Sequence, residues 1–465
     1  MIRTLLIGTC FFCFSLYQTA DEPCRNIFES TPAEMNAQMK GNLFDGSSNF
    51  PQSGKAGISN KFGLLNKVQA GVNIHFTTGH EKDLDMIASA GFKFIRMDFV
   101  WQTIERTKGT YIWADYDELT ANLHKRGLRA IYILDYSNSL YEGPVDSKDP
   151  ITGEEQKGTA SPQHPESLAA FASWATAAAE HFKDSNIIWE IWNEPNISFW
   201  KPKPDVEQYI DLAMATCRAV KSVVPKSVII GPGTSQIPLP FIESFLVSGV
   251  LKYLDAVSIH PYRDYSMSPE TAVKDFQKLR ELIDHYTPIG REKIPIISSE
   301  WGYSSATGGL STKTQAAYLI RMQLVNLSDE IPISIWYDWK NDGDDPANFE
   351  HNCGTVSSDL KPKPAYTAIQ KMNEQLESFK FLRRIEQESE NDYVLLFINN
   401  QGTYKMSAWT VDKAHTIVIG KIISKAAKST VVDWKGDILQ LKIDQDLMVL
   451  DLNDLPQYIT LQSGL

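Results

Sequence analysis

The sequence predicts a (β/α)8 barrel of the TIM type followed by a small C-terminal β-sandwich. Eight short apolar, β-branched runs, each followed by a helical stretch, fill roughly 300 residues, the count that closes such a barrel. The segment at the first run, "GVNIHFTTG", is not the Gly-rich phosphate loop that a doubly wound open sheet would place there. From about residue 379 the helical period gives way to short alternating runs separated by turn residues, the pattern of an all-β unit.

The elements follow in order. Residues 1–20, "MIRTLLIGTCFFCFSLYQTA", set Arg3 before an apolar run from Leu5 to Tyr17. That run is too short to span a bilayer and suits a signal peptide cleaved at Ala20, although Gln18 fits the small-residue rule poorly. Secretion is therefore expected, to the exterior or to the periplasm of a Gram-negative cell. Residues 21–60 are polar and rich in Gly, Ser and Asn, an irregular lead-in. The barrel is expected over 61–378, with its first four strands in "AGVNIHF" (70–76), "FKFIRMDFV" (92–100), "LRAIYILDY" (128–136) and "IIWEIWNE" (187–194). The other four fall in "SVIIGPG" (227–233), "DAVSIHPY" (255–262), "IPIISSEWG" (294–302) and "IPISIWYDW" (331–339). Helical stretches lie between, such as "PESLAAFASWATAAAEHFKD", opened by Pro165, and "DVEQYIDLAMATCRAVKSVV". Residues 379–465 carry the runs of the sandwich, among them "DYVLLFINN", "YKMSAWTV" and "HTIVIG". After the leader, no segment reaches the ~20 apolar residues of a membrane span.

Composition narrows the function. The net charge of −12 gives no support to the basic face of a nucleic-acid binder. Eleven tryptophans and eighteen tyrosines offer flat faces on which sugar rings stack, although aromatics also fill cores. Loss of the leader leaves Cys24, Cys217 and Cys353, too few for a disulfide framework. A Cys24–Cys353 bridge is open, and Cys217, on a helical pattern, reads as a small buried residue. Past the leader, no C-x-x-C or H-E-x-x-H spacing points to a metal, and neither metal nor cofactor is expected.

In a barrel of this kind the active site lies where the strands end, so the places where apolar runs turn polar are the places to look. Those exits present His75, Arg96 and Asp98, Asp135, Asn193-Glu194, His260-Pro261-Tyr262, Glu300-Trp301 and Trp336-Tyr337-Asp338-Trp339. Glu194 and Glu300 leave strands four and seven, which face each other across the mouth. Two opposed carboxylates in an aromatic-lined cleft are the apparatus for cleaving a glycosidic bond: one protonates the departing oxygen, the other attacks the anomeric carbon or activates water. The blander readings are a helix-capping acid for Glu194, an interior salt bridge for Arg96 and a satisfied core histidine for His260. Asp98, Asp135 and Asp338 read as rim or hydrogen-bonding residues.

"WEIWNEPN" on the fourth strand and "IPIISSEWG" on the seventh resemble clan A retaining glycoside hydrolases over most of residues 65–375. "WNEPN…FW" followed by "YIDLAMATCRAVKSVVPKSVIIGPG" is similar to the xylosidase-like family 39, whereas "ISIWYDWKNDG" and "LKPKPAYTAI" are closer to the cellulase-like family 5. The resemblance implies Glu194 as general acid/base and Glu300 as nucleophile. It further implies that Asn193 binds the sugar 2-hydroxyl, that His260 and Tyr262 position the carboxylates, and that Trp336 or Trp339 forms the floor under the reacting sugar. Arg96 would keep Glu300 ionised, and the charge of Glu300 at about 5 Å would help Glu194 keep its proton.

The expected protein is a secreted, monomeric retaining β-glycosidase of β-linked oligo- or polysaccharides. One alternative is an inactive carbohydrate-binding barrel, which would typically lack one of the two carboxylates. Another is a metal-dependent barrel of the enolate type, for which these strand ends lack the ligands. The long "YSNSLYEG…QHPES" segment after strand three would wall one end of the cleft and favour exo-action. The sandwich is expected to buttress the barrel. Of the sequons at Asn196 and Asn326, the first lies so near Glu194 that it is expected to stay bare.

Overall fold

The computed structural model describes residues 59–62, 66–149, 153–421, 429–444 and 447–461. The predicted signal peptide and all but the last two residues of the predicted lead-in lie outside them. Eight parallel strands close into a barrel in sequence order: β1 (Ala70–Asn73), β2 (Phe94–Val100), β3 (Arg129–Asp135), β4 (Ile188–Ile191), β5 (Val228–Ser235), β6 (Ala256–His260), β7 (Ile296–Trp301) and β8 (Ser334–Trp336). Each lies on one of the eight apolar runs, β5 running two residues past its own, and β8 pairs back onto β1.

Alternation along these strands builds the interior. Phe94, Ile131, Ile188, Ile230, Ala256, Ile297, Ile333 and Ile335 form one closed cluster with Phe62 of the short helix Ser59–Phe62. Each fully buried side chain of this size contributes roughly 1.5–3 kcal/mol. Two and four positions along the same faces, the period of two carries Arg96, Asp98, Glu190, Ser258 and His260 toward the C-terminal mouth. The other faces pack on the surrounding helices. Helix Pro165–His181 starts with Pro at its first turn and a capping box between His164 and Ser167. Helix Val206–Val223 is capped by Asp205, whose carboxylate accepts from the backbone of Glu207 and Gln208. Cys217 is buried on that helix, as its pattern suggested, and Cys353 is buried with no bridge among the described residues; Cys24, the other end of the bridge left open above, lies outside them.

The segment after β3 folds into an antiparallel hairpin, Pro144–Lys148 with Glu155–Thr159. Past helix Pro364–Leu376 come β9 (Phe379–Arg384), β10 (Asp392–Asn399) and β11 (Tyr404–Thr410). They belong to one of two antiparallel sheets of six and three strands formed by the described residues of this region. A single apolar cluster continues from the barrel helices into Leu395, Phe397, Trp409 and Tyr458 of that sheet pair. Among the described residues, no helix is long and apolar enough to cross a membrane.

Candidate active site

β4 stops at Ile191 because the backbone turns sharply. Trp192 and Glu194 adopt left-handed conformations with φ of 68° and 47°, each costing a non-glycine residue about 1–2 kcal/mol. Local contacts hold them there. The Trp192 ring is fully buried against Tyr136 and Trp200. Its backbone N–H donates to the Leu134 carbonyl at 3.1 Å, and that of Glu194 donates to the Gly233 carbonyl at 2.9 Å. Asn196 finishes the turn, donating to the Ser235 carbonyl at 3.0 Å and accepting from its N–H at 2.9 Å. The strand breaks so that Glu194 swings into the mouth.

β7 re-aims its acid by another device. Ser298 pairs with Ser334 but Trp301 pairs with Trp336, so three steps on β7 oppose two on β8. This bulge takes Glu300 out of strict alternation. Gly302 completes it, since a Cβ there would sit 1.9 Å from the Tyr337 carbonyl oxygen. The two strand ends can approach this closely only at a glycine.

The two acids meet around a histidine. A carboxylate oxygen of Glu194, a ring nitrogen of His260 and a carboxylate oxygen of Glu300 all lie within 4.8 Å of one another. His260 Nδ1 is 2.9 Å from Glu194 Oε1, and its Nε2 is 3.2 Å from Arg96. Arg96, 1% exposed, is the hub. Its Nε donates to Glu190 at 2.7 Å, one terminal nitrogen donates to Glu300 Oε2, and the other donates to Asn193 Oδ1 at 2.8 Å. Glu300 Oε2 also accepts from Asn73 at 3.2 Å, and Oε1 accepts from the Tyr262 hydroxyl at 2.8 Å. Burial alone would raise the Glu300 carboxyl, but His260, Arg96, the Tyr262 hydrogen bond and His75 together hold it below the usual carboxylate range. Burial would raise Glu190 as well, and Arg96 and His260 keep it low.

Comparison with known proteins places this geometry. The family model Cellulase (glycosyl hydrolase family 5) matches residues 59–343. The chain belongs to this family. A family 39 glycoside hydrolase from the gut symbiont Bacteroides cellulosilyticus WH2 has a similar structure, with a TM-score of 0.73 and 27% identity over 86% of this chain and 81% of that one. A family 39 β-xylosidase from Caulobacter crescentus shares the fold at 17% identity, with a TM-score of 0.63 over 86% and 97% of the two chains. In sequence, the chain is 26% identical over 204 residues to a β-xylosidase of Geobacillus stearothermophilus, a match spanning 39% of this chain and only 40% of that relative. The matches agree on a clan A, cellulase-like glycoside hydrolase.

In this cellulase-family protein the mouth continues beyond the two acids. His75 Nε2 lies 3.2 Å from Asp338 Oδ2 beside the Tyr337 ring, and Asp342 is close to both. Burial would lower the His75 pKa, but the charge and hydrogen bond of Asp338, with Asp98 and Asp342, push it up to about 10. Asp135, fully buried at the end of β3, is raised well above the carboxylate range by burial and then by Asp98 next to it. Two groupings have the donor types of a cation site, His75 with Asp338 and Asp342, and Glu194 with His260 and Glu300. Around the second, Arg96 contacts Glu300 and His260 through their other atoms, Oε2 and Nε2.

The structure brings together Glu194, Glu300, Arg96, Asn193, His260 and Tyr262, as the strand exits suggested. It corrects the expected aromatic floor. Trp336 is fully buried, donating to the Cys353 carbonyl at 3.1 Å, and Trp339 is 1% exposed, donating to Asp83 at 2.9 Å. The aromatic that reaches the mouth is Tyr337, partly exposed, with its hydroxyl donating to Glu350 at 2.6 Å. The strand period carried the signal: Ile333 and Ile335 line the interior, so Tyr337 shares their face and Trp336 does not. Arg96 and His260 are buried, and the contacts they make are to the two acids, to Glu190 and Asn193, and to each other. Glu190 and Asn73 were not among the expected site residues. Asn326 is fully buried and donates to Ser334 at 2.7 Å, which leaves no room for a glycan.

Proposed function

We propose that the protein is a secreted retaining β-glycosidase with Glu300 as nucleophile and Glu194 as acid/base. The observation that carries this reading is the approach of the two carboxylates to within 4.8 Å. Retaining glycosidases hold their carboxyl groups about 5–5.5 Å apart, whereas inverting ones need roughly 6.5–9.5 Å to seat a water. Oε2 of Glu300 is taken by Arg96 and Asn73, while Oε1 accepts from Tyr262 alone among the described residues and keeps a lone pair for attack. In the first step Oε1 bonds to the anomeric carbon, the glycosidic C–O bond breaks, and Glu194 gives its proton to the leaving oxygen. In the second, Glu194 takes a proton from water, which attacks the same carbon and frees Glu300. Asn193, its carbonyl oxygen committed to Arg96, offers its NH2 to the sugar 2-hydroxyl.

The substrate class follows from charge. Arg96 is spent on Glu190, Glu300 and Asn193, and His75 sits among Asp338, Asp98 and Asp342. Among these groups no cation is left to match a sugar carboxylate, so the glycon is neutral. Relatives described as β-xylosidases, and the 27% identity to a family 39 enzyme, favour the family 39 side of the clan and a short β-linked neutral glycan. In this reading the hairpin after β3 walls one end of the cleft, which would favour exo-action, and the enzyme is a monomer. The test is hydrolysis of aryl β-xyloside, β-glucoside and β-galactoside, with NMR of the first-formed anomer. Retention of configuration, lost together with turnover in Glu300→Gln while sugar binding persists, is the expected result. An inverted first product, or full turnover by Glu300→Gln, would overturn it.

A further inference from the structure

A buried ion pair ties the C-terminal β domain to the loop that carries Tyr262. Arg321, on helix Thr312–Ser328, makes a two-pronged contact with Glu270, Nε to Oε1 at 2.7 Å and a terminal nitrogen to Oε2 at 2.6 Å. Both residues are under 10% exposed. Glu270 lies in the turn Pro269–Ala272, at the end of the segment leaving β6 through Tyr262. A pair this buried is tolerable only if the rest of its hydrogen-bonding capacity is met. The β domain meets it. Trp409 of β11 donates from its indole nitrogen to Glu270 Oε1 at 2.8 Å, and the Asp454 carbonyl accepts from Arg321 at 3.3 Å. Trp409 is itself fixed by the Tyr393 ring, stacked at 4.8 Å and 10°.

The other contacts of this segment lead to the nucleophile. At its start the Tyr262 hydroxyl donates to Glu300 Oε1, and in its middle the Tyr303 hydroxyl donates to the Met267 carbonyl at 3.1 Å. Tyr303 follows Glu300 by three residues and packs edge-on against Tyr318 at 4.9 Å, over which the Arg321 guanidinium lies at 5.1 Å. One clamp from the β domain therefore bears on both the segment holding Tyr262 and the strand end holding Glu300.

We propose that Trp409 is a positioning residue for Glu300. Through Glu270 and Arg321 it fixes residues 261–272 so that the Tyr262 hydroxyl stays on the nucleophile. The β domain is then an integral part of the catalytic unit and not a detachable glycan-binding module. This inference rests on the glycosidase reading above.

The test is Trp409→Phe in the full chain, which keeps an aromatic ring and removes the donor. Side chains along a coupled network typically change the coupling by a factor of about two to thirty, and kcat on an aryl β-glycoside is expected to fall within that range with KM little changed. The acid limb of kcat/KM should move to higher pH, because Glu300 loses part of the Tyr262 hydrogen bond. In a Tyr262→Phe background the same substitution should have almost no further effect on kcat, since the route it acts through is already cut. Tyr393→Leu, which loosens the Trp409 ring without deleting its N–H, should give a smaller shift of the same sign and serves if Trp409→Phe does not fold. A lower melting temperature with unchanged kcat and acid limb, or additive losses in the double variant, would overturn the proposal. A parent protein that cleaves no aryl glycoside would sink the glycosidase reading itself.

Discussion

Tyr262→Phe probes the electrostatics of Glu300, the proposed nucleophile, with little loss of packing. The substitution deletes one hydroxyl, the donor at 2.8 Å to Glu300 Oε1, and leaves Arg96 and Asn73 on Oε2. A hydrogen bond to a charged group is worth roughly 1.5–3 kcal/mol. Losing it weakens the hold on the ionised form by that much, so the Glu300 carboxyl should rise. Glu300 is held below its unfolded value, and the nucleophile must be ionised, so activity is present above its folded pKa and lost as pH falls through it. Raising that pKa moves the acid limb to higher pH and shortens the pH range over which the ionised carboxylate stabilises the fold. The assay is kcat/KM for an aryl β-glycoside across the acid range, with melting temperature recorded at each pH. An acid limb that stays in place would show that Tyr262 contributes nothing to holding Glu300 ionised, and would refute the reasoning.

Three further outcomes follow from the same contacts. Tyr337→Ala should raise KM several-fold on a neutral aryl glycoside with kcat less affected, whereas Trp336→Phe should leave KM alone and lower stability by about 0.5–1.5 kcal/mol, the net worth of the lost indole hydrogen bond, since the Cys353 carbonyl still accepts from the Asp338 N–H and from Gln315; kinetics and denaturant unfolding of the pair separate the two. An aryl β-glucuronide should be cleaved at least a hundredfold more slowly than the matching glucoside, because the cations near the cleft are already paired; comparable kcat/KM values would refute that. Arg321→Ala should destabilise the fold by roughly 3–5 kcal/mol, since it leaves the buried Glu270 carboxylate without its partner, a loss readable in urea titrations.

Much of the site could be read from the sequence because barrel strands deliver their chemistry at fixed places. A glutamate at the end of β4 and another at the end of β7 need no knowledge of tertiary contacts to be set facing each other. The same logic, applied one step further, would have found Glu190 and Tyr337. Glu190 shares the parity of Ile188 and so points into the barrel, and Tyr337 shares that of Ile333 and Ile335. The tryptophans at 336 and 339 drew attention by residue type, whereas the strand position of Trp336 puts it in the outer layer and Trp339 lies three residues past the end of β8. Other features had no local signature. The β7 bulge shows only as a register shift against β8, and the left-handed backbone at Trp192 and Glu194 is enforced by neighbours from β3 and β5. The bond from Trp409 to Glu270 joins residues 139 apart in the chain. Contacts of that kind depend on how the domains dock, which no periodicity encodes.

In the proposed reaction, Glu190 also explains how one buried guanidinium can serve a nucleophile whose charge comes and goes. With both acids ionised, Arg96 and its two carboxylates carry a net charge of −1, close to where an oxocarbenium-like cation develops in the proposed reaction. A unit charge pair 4 Å apart is worth about 4 kcal/mol at an effective dielectric near 20, so that residual charge favours the transition state over the neutral substrate. Once Glu300 becomes an ester, its charge is gone, and a lone Arg96 would be an unpaired cation buried at 1% exposure, a state costing several kcal/mol. Glu190, bonded to the Nε side at 2.7 Å, keeps that from happening: the pair left behind is neutral, and Arg96 stays in place for the second half of the cycle. A single carboxylate under the guanidinium would give either a neutral resting site or a stranded charge in the intermediate. The acid four residues before the catalytic one is what lets the same frame hold both states.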